Sequence, residues 1–208
     1  MKIKLCGFTE IESVKTAIAQ KCNFLGFVFY ENSPRNISVQ KACEIGSKIP
    51  KQVFKVAVTV DADFNFLQKI AQNFAPDFFQ FHGNESLEFL ALAKQKFPKI
   101  KIIKAFKICG EQDLVQIKNF ENYADFFLLD AKNAGSGEKF DWKILQNFIS
   151  KKDWFLSGGI NIDNIEEALK SGAKMIDISS GIEQIRGKKS SKLIEELMKK
   201  AKNYVEQN

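Results

Sequence analysis

Short apolar runs alternate with longer amphipathic stretches along the whole chain, and no Ser/Gly/Pro-rich linker or low-complexity block interrupts them. Eight runs read as strands: "KIKLC", "FLGFVF", "FKVAVTV", "DFFQFH", "KIIKAF", "DFFLLD", "WFLSGG" and "MIDISS". Between them, "TEIESVKTAIAQK", "SVQKACEIGSKI", "FNFLQKIAQNF", "ESLEFLALAKQKF" and "NIDNIEEALKSG" place apolar residues three and four positions apart, the spacing of a helix with one buried face. The closing "SKLIEELMKKAKNYVEQ" has the same spacing, and the lysine-rich "IRGKKSSKLIEELMKK" that runs into it reads as helical.

A strand-then-helix unit takes roughly 25 residues, without the sequence self-similarity of a repeat protein. Eight such units in 208 residues predict an α/β fold, a single-domain (β/α)8 TIM barrel spanning residues 1–208. An open doubly wound sheet would need fewer strands and, for a dinucleotide, a G-x-G-x-x-G turn after an early strand; neither is seen.

Composition narrows the class further. With 45% hydrophobic and 27% charged residues the chain is an ordinary globular one, and it contains no apolar run of about 18 residues that could span a bilayer. The start "MKIKLCGFTE" has no signal-peptide pattern, so export and membrane partners are not expected. Cys6, Cys22, Cys43 and Cys109 lie far apart with no C-x-x-C pair, which fits a reduced, cytoplasmic protein better than a zinc knuckle or a redox dithiol. The formal net charge of +6 raises nucleic acid as a partner, but the lysines are spread along helical segments without interleaved aromatics, and an anionic small substrate explains the sign equally well.

In a barrel of this kind, chemistry gathers at the C-terminal ends of the strands. The residues that close the apolar runs are Cys6 and Gly7, Arg35 in the loop after the second run, Gln80 and His82, Asp130 with Lys132, Gly158 and Gly159, and Asp177 with Ser179, Ser180 and Gly181. Arg35 follows a proline at the end of a greasy strand, where a buried guanidinium is costly unless an anion meets it. "SGGINIDN" and "DISSGIEQ" put small residues after the last two strands, where backbone N–H groups can approach a phosphate. Singly, each has a plain structural explanation: tight turns at the glycines, a helix cap at Ser180, a small buried hydrophobe at Cys6, a pair with Lys132 at Asp130, and a backbone hydrogen bond at His82. Asp130 follows four apolar residues, and desolvation there would favour a general acid, while a role for Cys6 needs the thiolate and hence nearby positive charge. With one histidine and no ligand-spaced carboxylates or cysteines, no metal site is expected.

Taken in order, these motifs resemble the phosphoribosylanthranilate isomerase family of tryptophan biosynthesis. "KLCGFT" is similar to that family's K-[IV]-C-G-[IL]-T, "GFVFYENSPRNIS" to G-F-x-F-x-x-x-S-P-R-x-[IV]-[ST], and "FFQFHGNES" to V-Q-L-H-G-x-E. "LLDAKNAGSGEKFDW", "LSGGINIDNI" and "IDISSGIE" resemble its later motifs, with departures at Ala131 and Phe81. The resemblance implies an Amadori rearrangement of N-(5′-phosphoribosyl)anthranilate with Asp130 as general acid and Cys6 as general base, and with no metal or organic cofactor. It further implies that Arg35 meets the anthranilate carboxylate, that Gly158, Gly159, Ser179, Ser180 and Gly181 hold the phosphate, and that His82 and Asp177 line the site. Monomer and homodimer are both left open. The rival readings are another phosphate-binding barrel, such as indole-3-glycerol-phosphate synthase or a pentose-phosphate epimerase, and a non-catalytic anion-binding barrel.

Overall fold

A computed structural model of the chain describes residues 1–130, 142–145 and 148–207. Eight strands, β1 (Lys2–Cys6), β2 (Phe24–Phe29), β3 (Phe54–Thr59), β4 (Phe78–Phe81), β5 (Lys101–Lys107), β6 (Phe126–Asp130), β7 (Trp154–Ser157) and β8 (Met175–Ile178), pair in sequence order. Every pairing is parallel, and β1 also pairs with β8 to close the barrel. The (β/α)8 expectation is met. Ala131 and Lys132 lie outside the described residues.

The strands read as unbroken apolar runs because both of their faces are covered. All six residues of β2 are buried. One face points to the helices α1 (Ile11–Ala19), α2 (Val39–Gly46), α3 (Phe64–Asn73), α4 (Leu87–Lys96), α5 (Glu111–Ile117), α6 (Ile165–Leu169) and α7 (Ser191–Gln207). Helix starts are fixed by side-chain caps: Ser38, Asp63 and Ser86 accept hydrogen bonds from the backbone N–H groups of Lys41, Phe66 and Phe89.

The other face fills the barrel, and its filling changes character from bottom to top. Phe24 meets Phe78 and Phe155 with ring centroids 5.6 and 5.3 Å apart, which closes the N-terminal end with aromatic rings. Val28, Val56, Val58, Ile103, Ala105 and Leu128 belong to the same interior cluster. Against this apolar filling stands a charged pair, Lys4 and Asp177, opposed in the β1–β8 register and joined at 2.7 Å.

One segment departs from the sequence expectation. Residues 185–190, expected as the front of the last helix, form instead the end of a hairpin, β9 (Glu183–Ile185) with β10 (Lys188–Lys189), and α7 begins only at Ser191. Gly187 makes the turn with φ +88°, and a Cβ there would collide with the Pro34 carbonyl oxygen, so the hairpin packs closely on the loop after β2. A helix cannot accommodate that left-handed residue, however helix-favouring the lysines around it are.

Candidate active site

The C-terminal ends of the strands open onto a cavity of about 810 Å³. Its wall includes Cys6, Arg35, His82, Asp130, Gly158, Gly159, Asp177, Ser179 and Ser180. Nine of the ten residues to which the resemblance gives a role therefore share one space. Gly181 is set back from it: a Cβ on Gly181 would strike the Ile160 carbonyl oxygen, so its place is the close contact between the loops after β7 and β8.

Cys6 ends β1 and points inward, where it is buried. Its room is made by Gly26, its register partner on β2: a Cβ at Gly26 would lie 2.5 Å from the Cys6 sulfur. Burial pushes the Cys6 thiol above its ordinary pKa, Lys4 and Lys189 pull it down, and Asp177 adds to the rise, with the net direction upward. Lys4 experiences the reverse balance. Burial works against its ammonium, yet the attraction of Asp177 and Cys6 outweighs that and holds its pKa above the ordinary lysine value.

Asp130 closes β6 with its side chain about a quarter exposed, and its Oδ2 stands 3.6 Å from His82 Nε2. The other ring nitrogen of His82 lies 3.3 Å from Gln80 Nε2. The loop carrying His82 is braced from behind by a buried pair: Lys104 donates to Glu85 at 2.9 Å and to the Gly83 carbonyl at 2.8 Å, while Glu85 accepts from the Gly83 and Asp61 N–H groups. Gln80 Oε1 is buried without a hydrogen-bond partner among the described residues, on a side chain that lines the cavity.

The anion that meets Arg35 within the chain is Glu183, from β9. Nε donates to Oε1 at 2.6 Å and Nη2 to Oε2 at 2.8 Å, a fork-to-fork pair. Lys189 of β10 donates to the same Glu183 Oε1 at 2.8 Å and to the Ser179 carbonyl at 3.0 Å. Burial would raise the Glu183 pKa, but these hydrogen bonds overcome it and hold the carboxyl down at about 2. The turn that presents Arg35 is stitched by backbone bonds from Ser33 to Tyr30, Asn36 to Ser33 and Ile37 to Val28, with Ser33 Oγ accepting from the Arg35 N–H.

Opposite lie the two small-residue loops. Gly158 and Gly159 hold φ of +104° and +68°, a left-handed path that turns backbone toward the cavity, and nothing lies within 4 Å of a Cβ built on Gly159. Asn164 fixes this loop, donating to the Gly159 carbonyl at 3.0 Å and accepting from the Asn161 N–H at 2.8 Å. After β8, the 3-10 turn Ser180–Ile182 presents its first N–H groups without intrahelical acceptors. Such loops suit a phosphate. Among the described residues no three His, Cys, Asp or Glu side chains gather as a metal-ion site.

Sequence reasoning did not find Lys4, Glu183 or Lys189. Lys4 was within reach, since alternation along "KIKLC" puts it on the same face as Cys6. Lys189 was hidden by the helical reading of residues 185–190, whereas Glu183 stood in the loop "DISSGIEQ" with nothing local to announce its pairing with Arg35.

The family model described as N-(5′-phosphoribosyl)anthranilate (PRA) isomerase matches residues 3–200 of this chain. An N-(5′-phosphoribosyl)anthranilate isomerase of Zymomonas mobilis subsp. mobilis is 38% identical over 193 residues, covering 90% of this chain and 91% of its own. One from Brucella canis is 39% identical over 203 residues, covering 94% and 91%. Among solved structures, the phosphoribosyl anthranilate isomerase of Thermotoga maritima superposes with a TM-score of 0.89 at 31% identity, covering 98% of this chain and 99% of that one. A phosphoribosyl anthranilate isomerase in complex with reduced 1-(o-carboxyphenylamino)-1-deoxyribulose 5-phosphate superposes with a TM-score of 0.85 at 29% identity over the same shares. With the barrel, the cavity at its strand ends and these likenesses in agreement, the chain belongs to the N-(5′-phosphoribosyl)anthranilate isomerase family.

Proposed function

We propose that this chain performs the reaction for which its family is named, converting N-(5′-phosphoribosyl)anthranilate to 1-(2-carboxyphenylamino)-1-deoxyribulose 5-phosphate in tryptophan biosynthesis. The observation that carries this reading is the placement of a thiol, Cys6, and a carboxyl, Asp130, from β1 and β6 on the wall of one cavity. The rearrangement needs a proton donor at the furanose ring oxygen and an acceptor for the proton on sugar C2, and groups from different strands can face different parts of one bound sugar. Asp130 protonates the ring oxygen, the C–O bond breaks, and the ring opens to a Schiff base. Cys6, as thiolate, then takes the C2 proton to give an enolamine, which gains a proton at C1 and loses the proton of its C2 hydroxyl to become the ketone.

The substrate carries an anion at each end, and the cavity offers polar groups to both. The phosphate is held by backbone at Gly158, Gly159, Ser179 and Ser180, with Gly181 keeping the two loops in contact. The anthranilate carboxylate meets Arg35, whose Nε and Nη2 are fixed by Glu183, leaving Nη1 free among the described residues to reach the ligand. His82 and Asp177 line the sugar's surroundings, His82 beside the acid and Asp177 beside the base. The mechanism calls for no metal or organic cofactor, and the whole chain acts as one barrel domain around one site. Its four cysteines are free thiols, as suits the cytoplasm. No helix among the described residues is long and apolar enough to cross a membrane.

The test is incubation of the purified protein with N-(5′-phosphoribosyl)anthranilate and identification of the product by mass spectrometry and NMR. Formation of the carboxyphenylamino deoxyribulose phosphate is expected. Substrate left unchanged, apart from spontaneous hydrolysis, would overturn the reading.

A further inference from the structure

Lys4 and Asp177 form a buried charged pair, with Asp177 on the cavity wall, and the proposed reaction gives Lys4 no task. An ammonium and a carboxylate inside a barrel cost several kcal/mol each before their attraction is counted, and well-packed apolar residues often do as well or better. Most of the surrounding interior is filled in that apolar way, by Val28, Val56, Val58, Ile103 and Leu128 among others. Yet Lys4 is fully buried, and its ammonium lies 2.7 Å from Asp177 Oδ1, while Asp177 Oδ2 accepts from Ser157 Oγ at 3.2 Å.

The donor count points to a second partner. A lysine ammonium has three N–H donors, and Asp177 Oδ1 takes one of them. Cys6 lies two residues along on the same strand face, and the attraction between its thiolate and this ammonium is one of the causes that hold the Lys4 pKa up. A sulfur anion in an apolar barrel needs a positive neighbour. Of the two nearby cations, Lys189 lies across the hairpin and is shared between Glu183 and Ser179, whereas Lys4 shares the strand of the thiol.

We propose that Lys4, aimed by Asp177, is a positioning residue that serves as counter-ion to the Cys6 thiolate during proton abstraction. The inference rests on the reading of Cys6 as the base. The charged groups that act on the Cys6 thiol are Lys4 on β1, Asp177 on β8 and Lys189 on β10. Arg35, His82, Lys107, Asp130, Glu183 and Arg186 carry charge elsewhere on the cavity wall, together with the phenol of Tyr30.

Iodoacetamide alkylation of Cys6, followed against pH by peptide mass spectrometry, reads the thiolate without using the isomerase reaction. In the charge-balanced Lys4→Met/Asp177→Asn double variant the alkylation midpoint is expected to rise, slowing the reaction near pH 9 by about tenfold for each unit of displacement. A folded double variant with an unchanged or lowered midpoint overturns the proposal. If that variant does not fold, Lys4→Gln alone decides: the midpoint is expected to rise, and an unchanged or lowered midpoint overturns it. Failure of wild-type protein to convert phosphoribosylanthranilate would overturn the reaction and leave this coupling standing, so the two failures are distinct.

Discussion

The guanidinium of Arg35 and the carboxylate of Glu183 are joined by two near-parallel hydrogen bonds of 2.6 and 2.8 Å, tying the loop after β2 to the hairpin after β8. The arginine is thereby oriented before any ligand arrives, which reduces the side-chain entropy lost on binding. Glu183→Gln is expected to raise KM for the anthranilate substrate more than it lowers kcat, as measured by steady-state kinetics. The substitution also leaves Lys189 without its carboxylate, and removing one partner of a buried ion pair costs roughly 3 kcal/mol, to be read from urea unfolding.

The same carboxylate makes stability depend on pH. Its folded pKa is depressed from the ordinary 4.5 to about 2, so its stabilising contribution is present above 4.5 and is lost as pH falls toward 2. Thermal unfolding measured between pH 5 and 2 is expected to show a smaller acid-induced drop in Glu183→Gln than in the wild type. Equal drops would remove Glu183 from the acid response.

Gly26 supplies the space that Cys6 occupies. Gly26→Ala places a methyl group 2.5 Å from the sulfur and 3.1 Å from the Cys6 Cα, so the thiol must turn away or the two strands must part. A displacement on the order of 1 Å at a reacting group can lower turnover by about 10²-fold. Activity should therefore fall far more than the midpoint of thermal unfolding, and full turnover in Gly26→Ala would contradict the placement of the base.

With Cys6 as the proposed base, its burial predicts how the reaction depends on pH. Because its pKa is raised, the thiolate fraction is small at neutral pH and grows as the solution becomes alkaline. The proton-abstraction rate, read with substrate deuterated at C2, is expected to climb with pH into the range above 9, and Cys6→Ser should abolish that climb.

The barrel was legible because its strands are covered on both sides: a run such as "FLGFVF" has no polar residue to blur it, and its boundaries match β2. The candidates at strand ends were legible for a related reason, since Cys6 and Asp130 close mostly apolar runs and Asp177 interrupts one. What stayed hidden depends on contacts between residues far apart in sequence. Arg35 and Glu183 are separated by 148 positions, and nothing near either one announces the other. The hairpin was misread because lysines favour helices locally, whereas the left-handed turn at Gly187 and its packing on Pro34 decide the matter. Gly181 looked like part of a phosphate loop, and its close approach to Ile160 became visible only in three dimensions.

The central claim is that Cys6 and Asp130 act as base and acid on one phosphosugar, and the most direct measurement is kcat for N-(5′-phosphoribosyl)anthranilate in Cys6→Ala and in Asp130→Asn. Each substitution should lower kcat by about 10²–10⁴-fold while the folded barrel persists by circular dichroism. Wild-type turnover in either variant would contradict the role given to that residue, and in both it would contradict the mechanism.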